Sequence, residues 1–142
     1  MRKKILVVDD EKVMRSLVTI AMQRNGYTVI DAGSSSQALE YLNRTTPDLI
    51  ILDVLMPGMN GIELCRRIRS RAATINTPII IFSALGDNDA ISDALAAGAD
   101  CYLHKLNLFG DLVATVESTL ANPGASRLHI QQQPAALAKS AV

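Results

Sequence analysis

The chain has 142 residues, with 14 lysines and arginines against 14 aspartates and glutamates, and therefore no net charge. This length fits one domain whose core is large enough to fold without a disulfide or a structural metal. The balanced charge argues against a general nucleic-acid or membrane-surface binder, because such proteins normally carry a basic excess. We therefore expect one compact domain with no nucleic acid and no membrane among its direct partners.

Two features of the sequence bear on the expected location of the protein. Cys65 falls among residues of helical periodicity and Cys101 lies in a strand-like run, so we interpret both as buried thiols in a reducing compartment. Residues 2–4 are basic, like the start of a signal peptide, but the apolar run at 5–8 is shorter than the ~7–15 residues of a signal core. A cytoplasmic protein is therefore expected.

Short apolar runs alternate with stretches of helical periodicity along the whole chain. Runs rich in β-branched residues predict strands, and apolar residues spaced i, i+3, i+4, i+7 predict helices. The predicted strands lie at 5–8, 27–30, 49–52, 79–82 and 100–104. A helical stretch follows each of them, and in the first stretch Val13, Leu17 and Ile20 share one face with Arg24.

Five strands that are each followed by a helix predict an α/β domain, built on a doubly wound, five-stranded parallel sheet. The central runs lack polar alternation, as expected of strands that helices cover on both faces. The alternation of strands and helices ends near residue 121, and the remainder is rich in proline, glycine, glutamine and alanine. We therefore predict a folded domain at 1–121 and a flexible tail or linker remnant at 122–142.

Polar side chains suited to a common site stand directly after the first, third, fourth and fifth apolar runs. Asp9 and Asp10 follow the first run, Asp53 the third, Ser83 the fourth and Lys105 the fifth. In open parallel sheets, ligands bind outside the carboxyl ends of the strands. Taken singly, the aspartates could be helix caps or turn residues, the serine a turn residue and the lysine a solvated surface group. Their placement at one edge of one sheet favours a common site.

The chemistry of these residues indicates phosphoryl transfer. Three crowded carboxylates raise one another's pKa unless a cation compensates their charge. Mg²⁺ is suited to this role, since it binds one or two carboxylates together with water and phosphate oxygens. One carboxylate can then act as a nucleophile and form an aspartyl phosphate, while Lys105 and Ser83 bind the incoming anion.

Five stretches of the chain resemble the receiver domain of two-component response regulators, the CheY-like family of phosphoacceptor domains. These stretches are 5–11, 53–61, 82–84, 97–100 and 102–105. The resemblance covers residues 3 to 121, which is essentially the whole predicted domain. It implies a flavodoxin-like (βα)5 fold with the strand order 2-1-3-4-5.

The resemblance also implies a role for each residue of the site. Asp53 is expected to be the phosphoacceptor. Together with Asp10 and the backbone carbonyl of Leu55, it is expected to bind Mg²⁺, for which Mn²⁺ can substitute. Asp9 is expected to act on the metal through water, and Lys105 to pair with a phosphoryl oxygen.

A second group of residues is implied to form the switch and the loop over the site. Ser83 is expected to hydrogen-bond the phosphoryl group, and Tyr102 to change rotamer when the serine hydroxyl moves. Met56 and Pro57 are expected to shape the loop, and Gly61 to let the chain enter the following helix.

The implied function is that of a phosphorylation-dependent switch in a two-component phosphorelay. A sensor histidine kinase or a phosphotransfer protein supplies the phosphoryl group, and the surface at 87–120 then changes to control an unidentified downstream protein. A homodimer through 87–120 is a further implied association. The domain is expected to catalyse only its own phosphorylation and autodephosphorylation. Because 21 residues follow residue 121, we expect no DNA-binding or enzymatic output domain in this chain.

Two positions depart from the pattern of the family. Leu106 follows Lys105 where the family usually has a proline in a cis peptide bond, and a cis bond before another residue costs ~2.5–4 kcal/mol. The loop is therefore either trans and rearranged or cis and strained. Leu55 places an apolar side chain where many members carry a polar one, so its influence on the lifetime of the phosphoryl group should be steric.

Three other functions are compatible with parts of the sequence. A phosphatase or phosphotransferase with an aspartate nucleophile commonly has a second acid two residues on, where this chain has Leu55. A flavin or dinucleotide binder needs a phosphate-binding loop after the first strand, where this chain has three acidic residues, 9–11. A degenerate receiver that serves only as a docking module is disfavoured, because all five key side-chain types are present.

Overall fold

The structure is a computed structural model of the chain and describes residues 2–107 and 109–122. Within these residues, five strands alternate with five helices. The strands are β1 (Lys4–Val8), β2 (Thr28–Ala32), β3 (Leu49–Leu52), β4 (Ile79–Ser83) and β5 (Cys101–His104). The helices are α1 (Lys12–Arg24), α2 (Ser35–Leu42), α3 (Gly61–Arg69), α4 (Asn88–Ala96) and α5 (Phe109–Ala121).

The strands form one parallel sheet in the order β2-β1-β3-β4-β5. This confirms the doubly wound, flavodoxin-like α/β fold and the strand order that the sequence resemblance implies. Since every strand runs in the same direction, all the carboxyl ends meet at one edge of the sheet. The strand order reverses between β1 and β3, which makes their carboxyl ends the expected place for a ligand.

Two apolar clusters cover the two faces of the sheet. Successive side chains of a strand point to opposite faces. Leu6 and Val8 therefore join the cluster with α2, α3 and α4, whereas Ile5 and Val7 join the cluster with α1 and α5. Strands β3 and β4 are buried along their whole length, and β1 is buried except for its first residue. Burial on both faces explains why these strands lack polar alternation.

Three of the helices begin at a side chain that caps the first turn. Ser34 before α2, Asn60 before α3 and Asp87 before α4 each accept a hydrogen bond from the backbone N–H three residues on. Each cap satisfies one of the backbone donors that a helix leaves open at its start. The sequence therefore encodes these starting points locally, which fixes where each chain segment leaves the functional edge of the sheet.

Helix α1 turns a different face inward from the one that its apolar spacing indicated. Val13, Leu17 and Ile20 are exposed, with 70%, 44% and 46% of their surface accessible, whereas Val18 and Met22 are buried. The helix carries two apolar stripes, and periodicity alone cannot tell which of them packs on the sheet. The helix itself is confirmed, and the face that its apolar spacing singled out is largely exposed.

The predicted boundaries are close to those observed. Strand β2 extends two residues beyond the predicted 27–30 and begins one residue later, and β5 begins one residue after the predicted start. Helix α5 ends at Ala121, and the tail predicted at 122–142 lies, apart from Asn122, outside the described residues. Among the described helices, none has the length and apolar character that crossing a membrane requires.

Candidate phosphoacceptor and metal site

The carboxyl ends of four strands bring the predicted polar residues together. Asp9 directly follows β1, Asp53 directly follows β3, Ser83 ends β4, and Lys105 directly follows β5. Asp9, Asp53 and Ser83 are buried. Each polar group stands where the chain turns away from the sheet, so its side chain reaches the shared edge while the strand before it stays apolar.

Lys105 lies between the two buried carboxylates. Its Nζ is 2.9 Å from Asp9 Oδ2 and 2.9 Å from Asp53 Oδ2. Burial lowers the pKa of Lys105, but the hydrogen bonds and charges of the two aspartates outweigh burial and raise that pKa above its ordinary value. The pKa of Asp9 is also raised, because burial outweighs the hydrogen bond and charge of Lys105. The alternative that Lys105 is a solvated surface lysine is therefore wrong.

Asp10 is the exposed member of a carboxylate cluster. A carboxylate oxygen from each of Asp9, Asp10 and Asp53 lies within 4.8 Å of the other two. The residue that caps α1 is Glu11, and it makes no side-chain cap hydrogen bond, so Asp10 does not serve as the helix cap. Among the described residues, the Asp10 side chain has no hydrogen-bond or ion-pair partner. This donor set of three clustered carboxylates fits a hard divalent cation such as Mg²⁺.

Ser83 and Tyr102 both contact the loop that follows β4. Ser83 Oγ accepts a hydrogen bond from the backbone N–H of Leu85 at 3.2 Å, and the Tyr102 hydroxyl donates to the backbone carbonyl of Leu85. Burial raises the pKa of Tyr102, although a hydrogen bond with Ser83 acts in the opposite direction. The structure thus brings the two predicted switch residues together, and their switching role stays a prediction.

The loop between β3 and α3 folds back against the predicted phosphoacceptor. Met56 is buried in the core, and Pro57 lines a surface groove beside the loop after β4. The backbone N–H of Gly61 donates to the carbonyl of Val54 at 3.0 Å. A Cβ atom at Gly61 would stand 1.9 Å from the carbonyl oxygen of Asp53. Glycine is therefore required here by this close approach, which is a more specific reason than entry into the helix.

The two departures from the family pattern have clear structural outcomes. No cis peptide bond occurs in the described residues, so the bond between Lys105 and Leu106 is trans. The side chain of Leu106 is 85% exposed and that of Leu55 is 52% exposed. The backbone N–H of Leu55 donates to Asp53 Oδ1 at 3.2 Å. That the backbone carbonyl of Leu55 binds a metal ion stays a prediction.

Arg15 is a contact of the site that the sequence reasoning missed. Its Nη1 donates to the backbone carbonyl of Asp9 at 2.7 Å, and its Nε pairs with Asp31 Oδ2 at 2.8 Å. Arg15 therefore ties the end of β1 to β2 from the first turn of α1. An arginine on a helix is by default solvated, and only the acidic Asp31 near the end of a strand hinted at a partner.

Most of the described chain matches one family. Residues 5–117 match the sequence profile described as the response regulator receiver domain. The chain belongs to this family. Receiver domains are signalling domains of two-component systems rather than classical enzymes, and this confirms the family that the sequence stretches indicated.

The receiver domain is similar to response regulators from several bacteria. It is 38% identical over 122 residues to the phosphate regulon transcriptional regulatory protein PhoB of Pseudomonas aeruginosa, which covers 86% of this chain and 53% of PhoB. It is 38% identical over 120 residues to the DNA-binding response regulator MtrA of Mycobacterium tuberculosis, which covers 84% of this chain and 51% of MtrA. The chain therefore spans about half the length of these curated relatives.

Solved structures of receiver domains share the fold. A putative response regulator from Chloroflexus aurantiacus superposes with a TM-score of 0.82 at 34% identity, covering 86% of this chain and 100% of that one. The chemotaxis response regulator CheY4 of Vibrio cholerae superposes with a TM-score of 0.79 at 30% identity, covering 83% of this chain and 98% of CheY4.

Proposed function

We propose that this receiver domain accepts a phosphoryl group on Asp53 from a phosphohistidine of a sensor histidine kinase or a phosphotransfer protein. The observation that carries the proposal is the position of Lys105, whose Nζ lies 2.9 Å from Asp53 Oδ2 and bridges it to Asp9. A lysine held at this place can neutralise charge on a phosphoryl group bound to the neighbouring carboxylate.

The reaction proposed for Asp53 is a direct displacement at phosphorus. A carboxylate oxygen of Asp53 attacks the phosphorus atom, the bond from phosphorus to the donor histidine nitrogen breaks, and its electron pair returns to the imidazole. Lys105 stabilises the negative charge that develops on the phosphoryl oxygens. The backbone N–H of Leu55 donates a hydrogen bond to one Asp53 oxygen, so the carboxylate keeps its orientation. These contacts supply positioning and electrostatic stabilisation, which dominate catalysis of phosphoryl transfer.

Asp10, Asp53 and the carbonyl of Leu55 would hold Mg²⁺ or Mn²⁺, with Asp9 acting through a water molecule. The support for this assignment is the clustering of the three carboxylates and the exposure of the Asp10 side chain, to which no described residue is hydrogen-bonded or ion-paired. A bound divalent cation supplies charge neutralisation for phosphoryl oxygens. Lys105 already offsets part of the negative charge of Asp9 and Asp53, so the carboxylates stay close together before a cation binds.

The switch proposed for the phosphorylated state begins at Ser83. The Ser83 hydroxyl accepts a hydrogen bond from the backbone N–H of Leu85. The backbone carbonyl of Leu85 accepts a hydrogen bond from the Tyr102 hydroxyl. A phosphoryl oxygen on Asp53 would compete for Ser83, which would release the Leu85 N–H and draw the loop after β4 towards the site. Because the Tyr102 hydroxyl is hydrogen-bonded to this loop, the packing of Tyr102 and the surface at 87–120 would change together.

The donor protein would contact the exposed apolar side chains beside the site. Val13 and Leu17 on α1, Leu55 after Asp53 and Leu106 after Lys105 are all exposed. A rim of exposed apolar groups around a buried charged centre is typical of a protein-binding surface. This rim also gives a function to the face of α1 that does not pack on the sheet.

We infer that the downstream partner of the 87–120 surface is a protein, and that this chain acts in the cytoplasm. Relatives of about twice its length are described as DNA-binding or transcriptional regulators, but the acidic character of 87–120 does not favour contact of this stretch with nucleic acid. Residues 1–121 form the proposed receiver domain, and 122–142 the proposed tail or linker remnant.

We infer that the domain catalyses only its own phosphorylation and autodephosphorylation.

The proposal is tested by incubating the protein with Mg²⁺ and a small-molecule phosphodonor and measuring the intact mass. We expect the chain to gain one phosphoryl group, and the gain to disappear in Asp53→Asn and when EDTA removes the cation. Asp48→Asn is a matched control, because Asp48 precedes β3 at the opposite edge of the sheet, and it should gain the group normally. A gain that persists in Asp53→Asn would exclude Asp53 as the acceptor.

A further inference from the structure

His104 holds the turn that follows β5. Its Nδ1 accepts a hydrogen bond from the backbone N–H of Leu106 at 3.0 Å, and its carbonyl accepts from Asn107 at 2.9 Å. The first bond requires an unprotonated Nδ1, which places the proton of a neutral imidazole on Nε2. Since the side chain of Leu106 is exposed, it does not anchor the turn.

The contact of His104 repeats a pattern found at the other strands of the site. At the carboxyl ends of β1, β3, β4 and β5, one side chain accepts the backbone N–H two residues on. The accepting residues are Asp9, Asp53, Ser83 and His104. The first three also supply the polar atoms of the site. His104 instead directly precedes Lys105, so its hydrogen bond holds the backbone beside the lysine.

The imidazole ring of His104 is seated against the loop after β4. A Cβ atom at Gly86 would lie 2.5 Å from its Cδ2 and 3.2 Å from its Nε2, so the ring occupies the space that the glycine leaves. The backbone of Lys105 is joined to the same region, because its N–H donates to the carbonyl of Ser83 at 2.8 Å. The ring therefore has two fixed neighbours, one on each loop.

We propose that His104 is a positioning residue for Lys105. His104 accepts the N–H of Leu106 and packs on Gly86. These two contacts hold the backbone on either side of Lys105, and the held backbone directs the Lys105 Nζ to Asp9 and Asp53. A lysine side chain has four rotatable bonds, so its reach is defined only when its backbone is held. This inference rests on the proposed phosphorylation of Asp53 and deepens it.

Two substitutions separate the hydrogen bond from the bulk of the ring. His104→Asn keeps an acceptor at the position of Nδ1, and His104→Leu keeps bulk without an acceptor. At saturating Mg²⁺ we expect the initial rate of phosphoryl gain to fall about tenfold in His104→Leu, as for the loss of one positioning hydrogen bond. In His104→Asn the rate should stay within about twofold of the parent. Asp48→Asn, before β3 at the opposite edge of the sheet, is the control and should keep the full rate.

The hydrogen bond has a readout that does not depend on phosphorylation. In the parent and in His104→Asn, the amide of Leu106 should exchange slowly with solvent, and in His104→Leu it should exchange quickly. Fast exchange in the parent would overturn the inference about His104, even if Asp53 is phosphorylated. A parent that shows slow exchange but gains no phosphoryl group would instead overturn the proposed function.

Gly86→Ala tests the seat of the ring without changing His104, which covers the case in which His104→Leu fails to fold. The new methyl group should displace the imidazole and slow phosphorylation, whereas in a His104→Ala background the same change should have no further effect. Equal rates for His104→Leu and His104→Asn, or a Gly86→Ala effect that is the same in both backgrounds, would refute the positioning role.

Discussion

Lys105 determines the charge balance of the site at the scale of single residues. Among the described residues, it is the one basic group that pairs with the side-chain carboxylates of Asp9 and Asp53, and the two aspartates raise its pKa. We expect Lys105→Met to slow phosphorylation from a small donor by about 100-fold, as for other groups that stabilise charge in a transition state. The initial rate of mass gain measures this. Lys3→Met, at the opposite edge of the sheet, should change the rate little, and a similar loss in both variants would contradict the assignment.

We expect the carboxylate of Asp9 to make the unphosphorylated domain less stable at neutral pH than an uncharged residue would. Its folded-state pKa is raised above the ordinary value of 3.8, mainly by burial, so the folded chain keeps the proton at pH values where the unfolded chain has lost it. Stability therefore falls as pH rises through the window above 3.8. In EDTA, we expect Asp9→Asn to raise the free energy of unfolding at pH 7, and the difference from the parent to shrink towards pH 4.

Urea unfolding at several pH values measures this effect. Asp48→Asn provides the control, because Asp48 is an acid outside the site. A free energy of unfolding that is lower in Asp9→Asn than in the parent at pH 7 would show that the ion pair with Lys105 outweighs burial, contrary to the expected sign.

At the scale of elements, the passage from β3 to α3 depends on one glycine. A Cβ at Gly61 would meet the carbonyl oxygen of Asp53 at 1.9 Å, so Gly61→Ala must displace the backbone of the phosphoacceptor. We expect a loss of about 1–3 kcal/mol in stability, as for other overpacked sites, together with slower phosphorylation. In contrast, a Cβ at Gly110 in α5 meets no atom within 4 Å, and Gly110→Ala should stabilise the helix by about 0.5–1 kcal/mol.

Chemical denaturation and the rate of mass gain, measured on both alanine variants, check this prediction. If Gly61→Ala were as stable and as active as the parent, the tight approach between α3 and Asp53 would not be needed.

The elements also show where sequence patterns reach their limit. The period of the apolar residues located all five helices, and the capping residues Asn60 and Asp87 mark two of their starts. The same period did not identify the inward face of α1, because Val13 and Leu17 form a second apolar stripe that stays exposed. Which stripe packs depends on the angle at which α1 lies on the sheet, and that angle is set by contacts with β1, β2 and α5.

At the scale of the whole molecule, the balanced net charge conceals an uneven distribution of charged side chains. Between residues 87 and 120, Lys105 is the only lysine or arginine, and the exposed acids of this stretch are Asp87, Asp89, Asp93, Asp111 and Glu117. Lys105 is directed into the site and does not offset them at the surface. Two copies that met through this face would bring like charges together, which is unfavourable, whereas a basic protein surface would be attracted.

We therefore expect the homodimer through 87–120 not to form and the protein to sediment as a monomer in Mg²⁺ and beryllofluoride at about 50 mM salt, where charges are weakly screened. Analytical ultracentrifugation over a range of protein concentrations checks this. A dimer that is present at low salt and disperses as salt rises would contradict it, because that dependence is typical of opposite charges across an interface.

The sequence by itself indicated the fold class, the strand positions and five polar side chains that the structure brings to one edge of the sheet. Apolar runs, capping residues and polar residues after strands are local signals, and parallel strands must share one carboxyl edge. Only the tertiary structure decided which face of α1 packs, why residue 61 must be glycine, that Arg15 holds the end of β1, and how His104 supports Lys105. These features arise from contacts between segments far apart in the chain, and such contacts depend on distances and angles that no local pattern encodes.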